Sequence, residues 1–148
     1  MKNLLLFLSL LVLITNTLYA GDVATRTDEF PQEQMKSQNK IIAKMFVEEM
    51  SRSLPQKIDK YTNFVKINNN DTTIVYTFEI NTGSKSDDAV RNEDRSRMHK
   101  AVKSGICKSS LKFLEAGINI SYLYISASSK ADLFRFDITQ NDCIKVIH

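Results

Sequence analysis

Two cysteines, Cys107 and Cys143, most constrain how this chain can fold, because its first twenty residues read as an export signal. Met1-Lys2-Asn3 carries one positive charge. Residues 4–14 are apolar apart from Ser9, and a more polar stretch closes on Ala20 ahead of Gly21. That is the three-part plan of a secretory signal peptide, with cleavage expected after Ala20. The apolar run, about 11 residues, falls well short of the roughly 20 that span a bilayer. In an oxidising compartment an even number of cysteines reads as one disulfide. It would close a loop of about 37 residues, for which the chain-entropy relation gives roughly 4 kcal/mol if strain is ignored. A redox pair would normally be a close Cys-x-x-Cys, and this spacing speaks against one. Gly21 stands where a bacterial lipoprotein carries its lipidated Cys. The expectation is therefore a chain without a lipid anchor, periplasmic or secreted.

After a flexible leader at 21–31, residues 32–148 are expected to form one domain, long enough to bury a core. The sequence carries 20 Lys plus Arg against 17 Asp plus Glu, and the signal takes away one lysine and no acid. So balanced a charge gives no reason to expect nucleic acid, which usually meets a concentrated basic face.

Hydrophobic periodicity supplies the elements. Residues 32–53 read as a helix with a stripe of Met35, Ile42, Met45, Phe46 and Met50, beside Ile41. Pro55 ends it, since the residue before proline resists helical backbone. Residues 57–67 read as extended, with a bulge or bend near Asp59-Lys60, and Asn68 to Asp71 as a turn. Residues 72–81 alternate most clearly: Ile74, Tyr76, Phe78 and Ile80 against Val75, Thr77 and Glu79. A second helix is expected from a cap at Asp87 or Asp88 to about Ser104, with Gly105 as its C-terminal cap and Val90, Met98, Ala101 and Val102 as a thin stripe. A short helix follows from Ser109 or Ser110 and stops at Gly117. Residues 118–126 have two apolar faces, as an interior strand does. Residues 133–139 turn Phe134, Phe136 and Ile138 inward and Arg135 and Asp137 outward. The order helix, hairpin, helix, short helix, hairpin predicts an α+β fold. We expect a four-stranded antiparallel sheet built from two hairpins, with helices on one face and room for a fifth strand at 144–147.

Chemistry is sparse. There is no Cys-x-x-Cys or His-x-x-x-His, so no zinc site and no cofactor is called for. His99 lies among basic residues, and His148 is the last residue. Glu48-Glu49 and Asp87-Asp88 are adjacent pairs, and helical neighbours do not face each other. Enzymatic catalysis is therefore not the expected role. Arg91, Arg95, Arg97, Lys100, Lys103, Lys108 and Lys112 form a basic run, with Glu93 and Asp94 interleaved. This reads as a solvated helix face more readily than as a membrane or lipopolysaccharide contact. The strand aromatics Tyr76, Tyr122 and Tyr124, with Asp59 as the one acid in an apolar setting, are the candidate binding residues. Packing of such rings inside the fold is the commoner outcome.

Several of these features occur together in small, mostly uncharacterised periplasmic proteins of Gram-negative bacteria, which the chain resembles. They are Leu54-Pro55, Asp59, Thr62, Thr73-Ile74-Val75-Tyr76, Cys107, Leu111, Leu114, Ala116-Gly117, Tyr122-Leu123-Tyr124 and Cys143. In element order and disulfide the chain is also similar, more weakly, to the α/β kind of type II secretion pilotin. That resemblance implies a groove for a partner helix and an envelope or secretion-system protein as the partner. Pilotins are usually lipoproteins, and Gly21 departs from that pattern. The expected role is a non-enzymatic binding or assembly-accessory protein. The alternatives are an inhibitor or immunity protein against a foreign enzyme, and a small envelope-modifying hydrolase.

Overall fold

A computed structural model describes residues 32–144. The signal peptide, its cleavage at Ala20, the leader, the strand expected at 144–147 beyond Ile144, and His148 lie outside the described residues. In chain order the elements are α1 (Gln32–Ser51), β1 (Gln56–Lys57), β2 (Thr62–Asn70), β3 (Thr73–Ile80), α2 (Asp87–Ser109), α3 (Leu111–Glu115), β4 (Asn119–Ser126), β5 (Asp132–Ile138) and α4 (Gln140–Cys143).

The fold is α+β, with one five-stranded sheet in the order β1-β2-β3-β4-β5. Both expected hairpins are present. β2 and β3 meet at Asn70 and Thr73 across a two-residue turn, where Asp71 takes φ of 55°. β4 pairs antiparallel with β5. The sheet departs from the expected antiparallel plan at its centre, where β3 and β4 run parallel. The reason is the connection: α2 and α3 carry the chain back along the sheet before β4 begins, as a parallel crossover requires. The sheet has five strands, as the sequence left room for, and the fifth among the described residues lies at the other end of the chain. It is Gln56–Lys57, paired with Phe64 and Asn63 of β2. The bend near Asp59-Lys60 is thus the turn of a small hairpin, and the bulge falls later, between Phe64 and Lys66.

Alternation divides the sheet into two faces. Phe64, Ile67, Ile74, Phe78, Tyr124, Phe134 and Phe136 join Ala43, Val90, Ile118 and Leu133 in one buried cluster. Ile120, Ile138, Ile106, Leu114 and the two cysteines form a second. Helices cover that one face: α1 packs chiefly on β2, and α2 chiefly on β5. The other face carries Asn63, Lys66, Asn68, Arg135 and Asp137, all exposed.

Neither helix sits quite as its periodicity suggested. On α1 the inward side is Ala43, fully buried, with Phe46, Val47 and Met50. Met35, Ile41, Ile42 and Met45 remain exposed, between 46% and 64%. Tertiary contacts choose this face over the more hydrophobic one. The Asn39 side-chain amide donates to the Ala116 carbonyl at 2.5 Å, and Lys36 and Lys40 reach Asp71 at the hairpin tip, at 3.5 and 2.6 Å. The N-cap of α2 is Ser86, whose hydroxyl accepts from the Ala89 N–H at 3.3 Å, while Asp87 and Asp88 occupy the first turn. Gly105 does not end the helix, because Ile106 and Cys107 continue it into the core. Ala101 is exposed, and Val102 and Ile106 take over the inward stripe. Gly117, at φ of 84°, does stop α3.

Cys107, in the last turn of α2, is bonded to Cys143 in α4, with Cα atoms 5.3 Å apart. α4 is begun by Thr139 and Asp142 in a reciprocal capping box, with the Thr139 N–H donating to the Asp142 carboxylate at 2.9 Å. The Cys107→Ser, Cys143→Ser double variant is expected to lose up to roughly 4 kcal/mol of stability. Urea melts followed by circular dichroism measure this, and an unchanged midpoint would refute the disulfide's role as a clamp.

Candidate functional site

Parallel pairing puts like beside like. Ile74, Tyr76, Phe78 and Ile80 of β3 stand opposite Ile120, Tyr122, Tyr124 and Ser126 of β4, residue for residue. The result is a continuous aromatic floor. Tyr76 and Tyr122 have ring centroids 5.1 Å apart, Phe78 and Tyr122 4.9 Å, and Phe78 and Tyr124 stack at 5.1 Å. Phe64 extends the floor onto β2, 5.5 Å from Tyr76.

α1 and α2 lie on the same face but make their main contacts with strands toward its two ends, β2 and β5, so part of this floor stays open. A concavity of about 490 Å³ lies there, lined by Ile58, Asp59, Thr62, Phe64, Tyr76, Phe78, Met98, Tyr122 and Tyr124. All four candidate binding residues therefore line one cavity. Three come from the sheet floor and Asp59 from the β1–β2 turn. A second concavity, of about 440 Å³, shares Thr62 and Met98 and continues past Tyr61, Ile80 and Val90. Together they form a trough between the β1–β2 turn and the flank of α2. Ile58 and Tyr61, at its rim, are 54% and 57% exposed.

Packing and platform divide the aromatics between them. Phe134, Phe136, Phe78 and Tyr124 are buried, the last two beneath the cavity, whereas Tyr76 and Tyr122 are half-buried beside them in its lining. Met98 was legible only as a core residue, and Ile58 only as a strand residue. The available signal for Ile58 was its place beside Asp59 in a turn, where an apolar residue has little to pack against.

The electrostatics fit an apolar floor with a charged rim. Burial pushes the Tyr76 hydroxyl up to about 12, helped by the neighbouring Tyr122. Tyr124 is likewise pushed up to about 12 by burial, and Tyr122 is raised by the same cause. Asp59 is exposed, and its carboxylate accepts from the backbone N–H groups of Tyr61 and Thr62 at 2.7 and 2.8 Å. The Tyr61 N–H is the main reason its pKa lies below the usual carboxylate range. Asp59 thus both fixes the turn and places a negative charge at the mouth of the trough.

Among the described residues no group of three or more His, Cys, Asp or Glu could hold a metal ion. His99 lies away from the trough, its ring stacked 5.2 Å from that of Phe136. Among the described residues the trough holds a single carboxylate, whereas a two-carboxylate glycosidase needs a second about 5–10 Å away.

An unfolded tyrosine ionises near 10. The folded protein holds the Tyr76 and Tyr124 protons longer, so the stability they confer is complete below about pH 10 and is lost as pH rises toward about 12. Melting temperatures should fall across that window, with a delayed rise in absorbance at 295 nm. Tyr76→Phe should remove part of both effects, and identical curves for the two proteins would count against the burial described.

Residues 37–134 match the family described as a domain of unknown function, DUF8479. No curated protein sequence matches the chain. Among solved structures, the pilotin EpsS of the Vibrio vulnificus type 2 secretion system is similar, with a TM-score of 0.64 at 15% identity. The match covers 75% of this chain and 96% of that one. The Vibrio cholerae type II secretion pilotin AspS gives 0.60 at 15% identity, covering 76% and 98%. A Pseudomonas aeruginosa protein, PA3611, predicted to be secreted, gives 0.63 at 10% identity, covering 74% and 96%. These likenesses establish a shared fold.

Proposed function

The chain belongs to the DUF8479 family, and we propose that it is an exported, non-enzymatic binding or assembly-accessory protein that docks a segment of an envelope or secretion-system protein in the aromatic trough. One observation carries this reading. An apolar, tyrosine-floored cavity of about 490 Å³ is left open between elements that elsewhere cover the same sheet face. Folding would normally bury such a floor, and tyrosine suits a surface that is dry on one side and wet on the other. Half-buried rings in a preformed cleft are also the kind of anchor that dominates protein recognition. The fold shared with two secretion pilotins supports the same class of partner. Export to the periplasm by cleavage near Ala20 is part of this reading, and so is release without a lipid anchor.

The mechanism is docking without chemistry. Apolar side chains of the partner cover Tyr76, Tyr122 and Met98, while Asp59 favours a basic residue where the segment leaves the trough. A photo-crosslinking residue at Ile58 should capture an envelope partner under native redox conditions. The same group at Lys112, which does not line the trough, should not. Tyr122→Ala should weaken that capture by about 2 kcal/mol or more, with an unchanged fold by circular dichroism. Equal capture from both positions, or none, would overturn the proposal.

A further inference from the structure

The structure breaks up the basic run read from the sequence. Of its seven residues only Arg91 and Arg95 line a cavity of about 660 Å³, where α2 overhangs the edge strand β5. Arg135 of β5, far away in sequence, joins them, with Asn92, Ser96 and His99. The positive charge is therefore assembled by folding, and the other five basic residues lie outside the cavity. Nearly every polar side chain in it is a donor. Arg91 is held in place by two bonds to the Asp132 carbonyl, at 3.0 and 2.7 Å, and one to Asp88 at 2.7 Å. Among the described residues Asp137 is the single acid in the lining, and its carboxylate accepts from the Arg135 Nε at 3.1 Å. Among the described residues no carboxylate pairs with Arg95.

We propose that this cleft binds a phosphate ester, with Arg95 as the principal contact and Arg135, Asn92 and Ser96 as supporting donors. Guanidinium groups match phosphate oxygens two at a time. The cavity exceeds what a lone phosphate fills, so the ester is carried on a larger molecule, a lipid headgroup or a soluble phosphorylated sugar. The site is separate from the aromatic trough and does not rest on it.

Two probes test this on the disulfide-bonded protein with its signal removed: inorganic pyrophosphate by isothermal titration, and phosphatidylglycerol vesicles by co-sedimentation. Saturable, salt-sensitive binding is expected. Arg95→Ala should weaken it about tenfold, and Lys112→Ala, outside the cleft, should leave it unchanged. Binding of pyrophosphate alone would assign the site to a soluble ester. Binding of anionic but not neutral vesicles, lost in Arg95→Ala, would assign it to a lipid headgroup. The inference is overturned if neither probe binds, or if Arg95→Ala and Lys112→Ala lose equally, which is the signature of diffuse charge.

Discussion

The parallel register of β3 against β4 is the constraint on which the rest of the molecule depends. It sets Tyr76 beside Tyr122 and Phe78 beside Tyr124, and so turns two separate alternating patterns into one floor. It also requires a long return path, which α2 and α3 supply. The path brings α2 onto β5 and leaves α1 on β2, on the far side of the centre. An antiparallel pair in the same place would need only a short turn and would have no use for the crossover. The open strip of tyrosines and the helix that walls it are thus products of one topological choice.

Helix and strand content was largely legible from periodicity. The alternation in β3, β4 and β5 is strong because each has one face against a packed core, and Asp71 and Gly117 mark breaks that the backbone needs. Which way β4 runs was not legible, since periodicity has no direction. Nor was the buried face of α1. Its hydrophobic stripe points to Ile42 and Met45, yet Ala43 sits against the sheet because a small side chain lets the helix approach while Asn39, Lys36 and Lys40 hold it in place. Gly105 misled for a similar reason. Its intrinsic preference to end a helix is worth only about 1 kcal/mol, less than burying Ile106 and Cys107 contributes.

The candidate site was legible by residue and not by shape. Tyr76, Tyr122, Tyr124 and Asp59 stood out as aromatic strand positions and an acid in apolar company. That they share one cavity depends on a pairing between segments more than forty positions apart. Met98 and Ile58 belong to the same wall for reasons that exist only once the turn and the helix face each other.

The sheet's two borders bear on how the protein behaves among its own copies. β1 offers just two residues and covers β2 only at Asn63 and Phe64, so among the described residues the stretch of β2 from Lys66 to Asn70 has no strand partner on that side. β5 is longer, but Arg135 and Asp137 pair along it, a shift in register interrupts it beside Ile125, and the Asp132 carbonyl is already taken by Arg91. A charged, kinked, partly occupied margin discourages strand addition along β5. The two margins are therefore unequal: strand addition is opposed along β5, whereas at β2 only polar side chains, Lys66, Asn68, Asn69 and Asn70, stand outside the core along the open stretch.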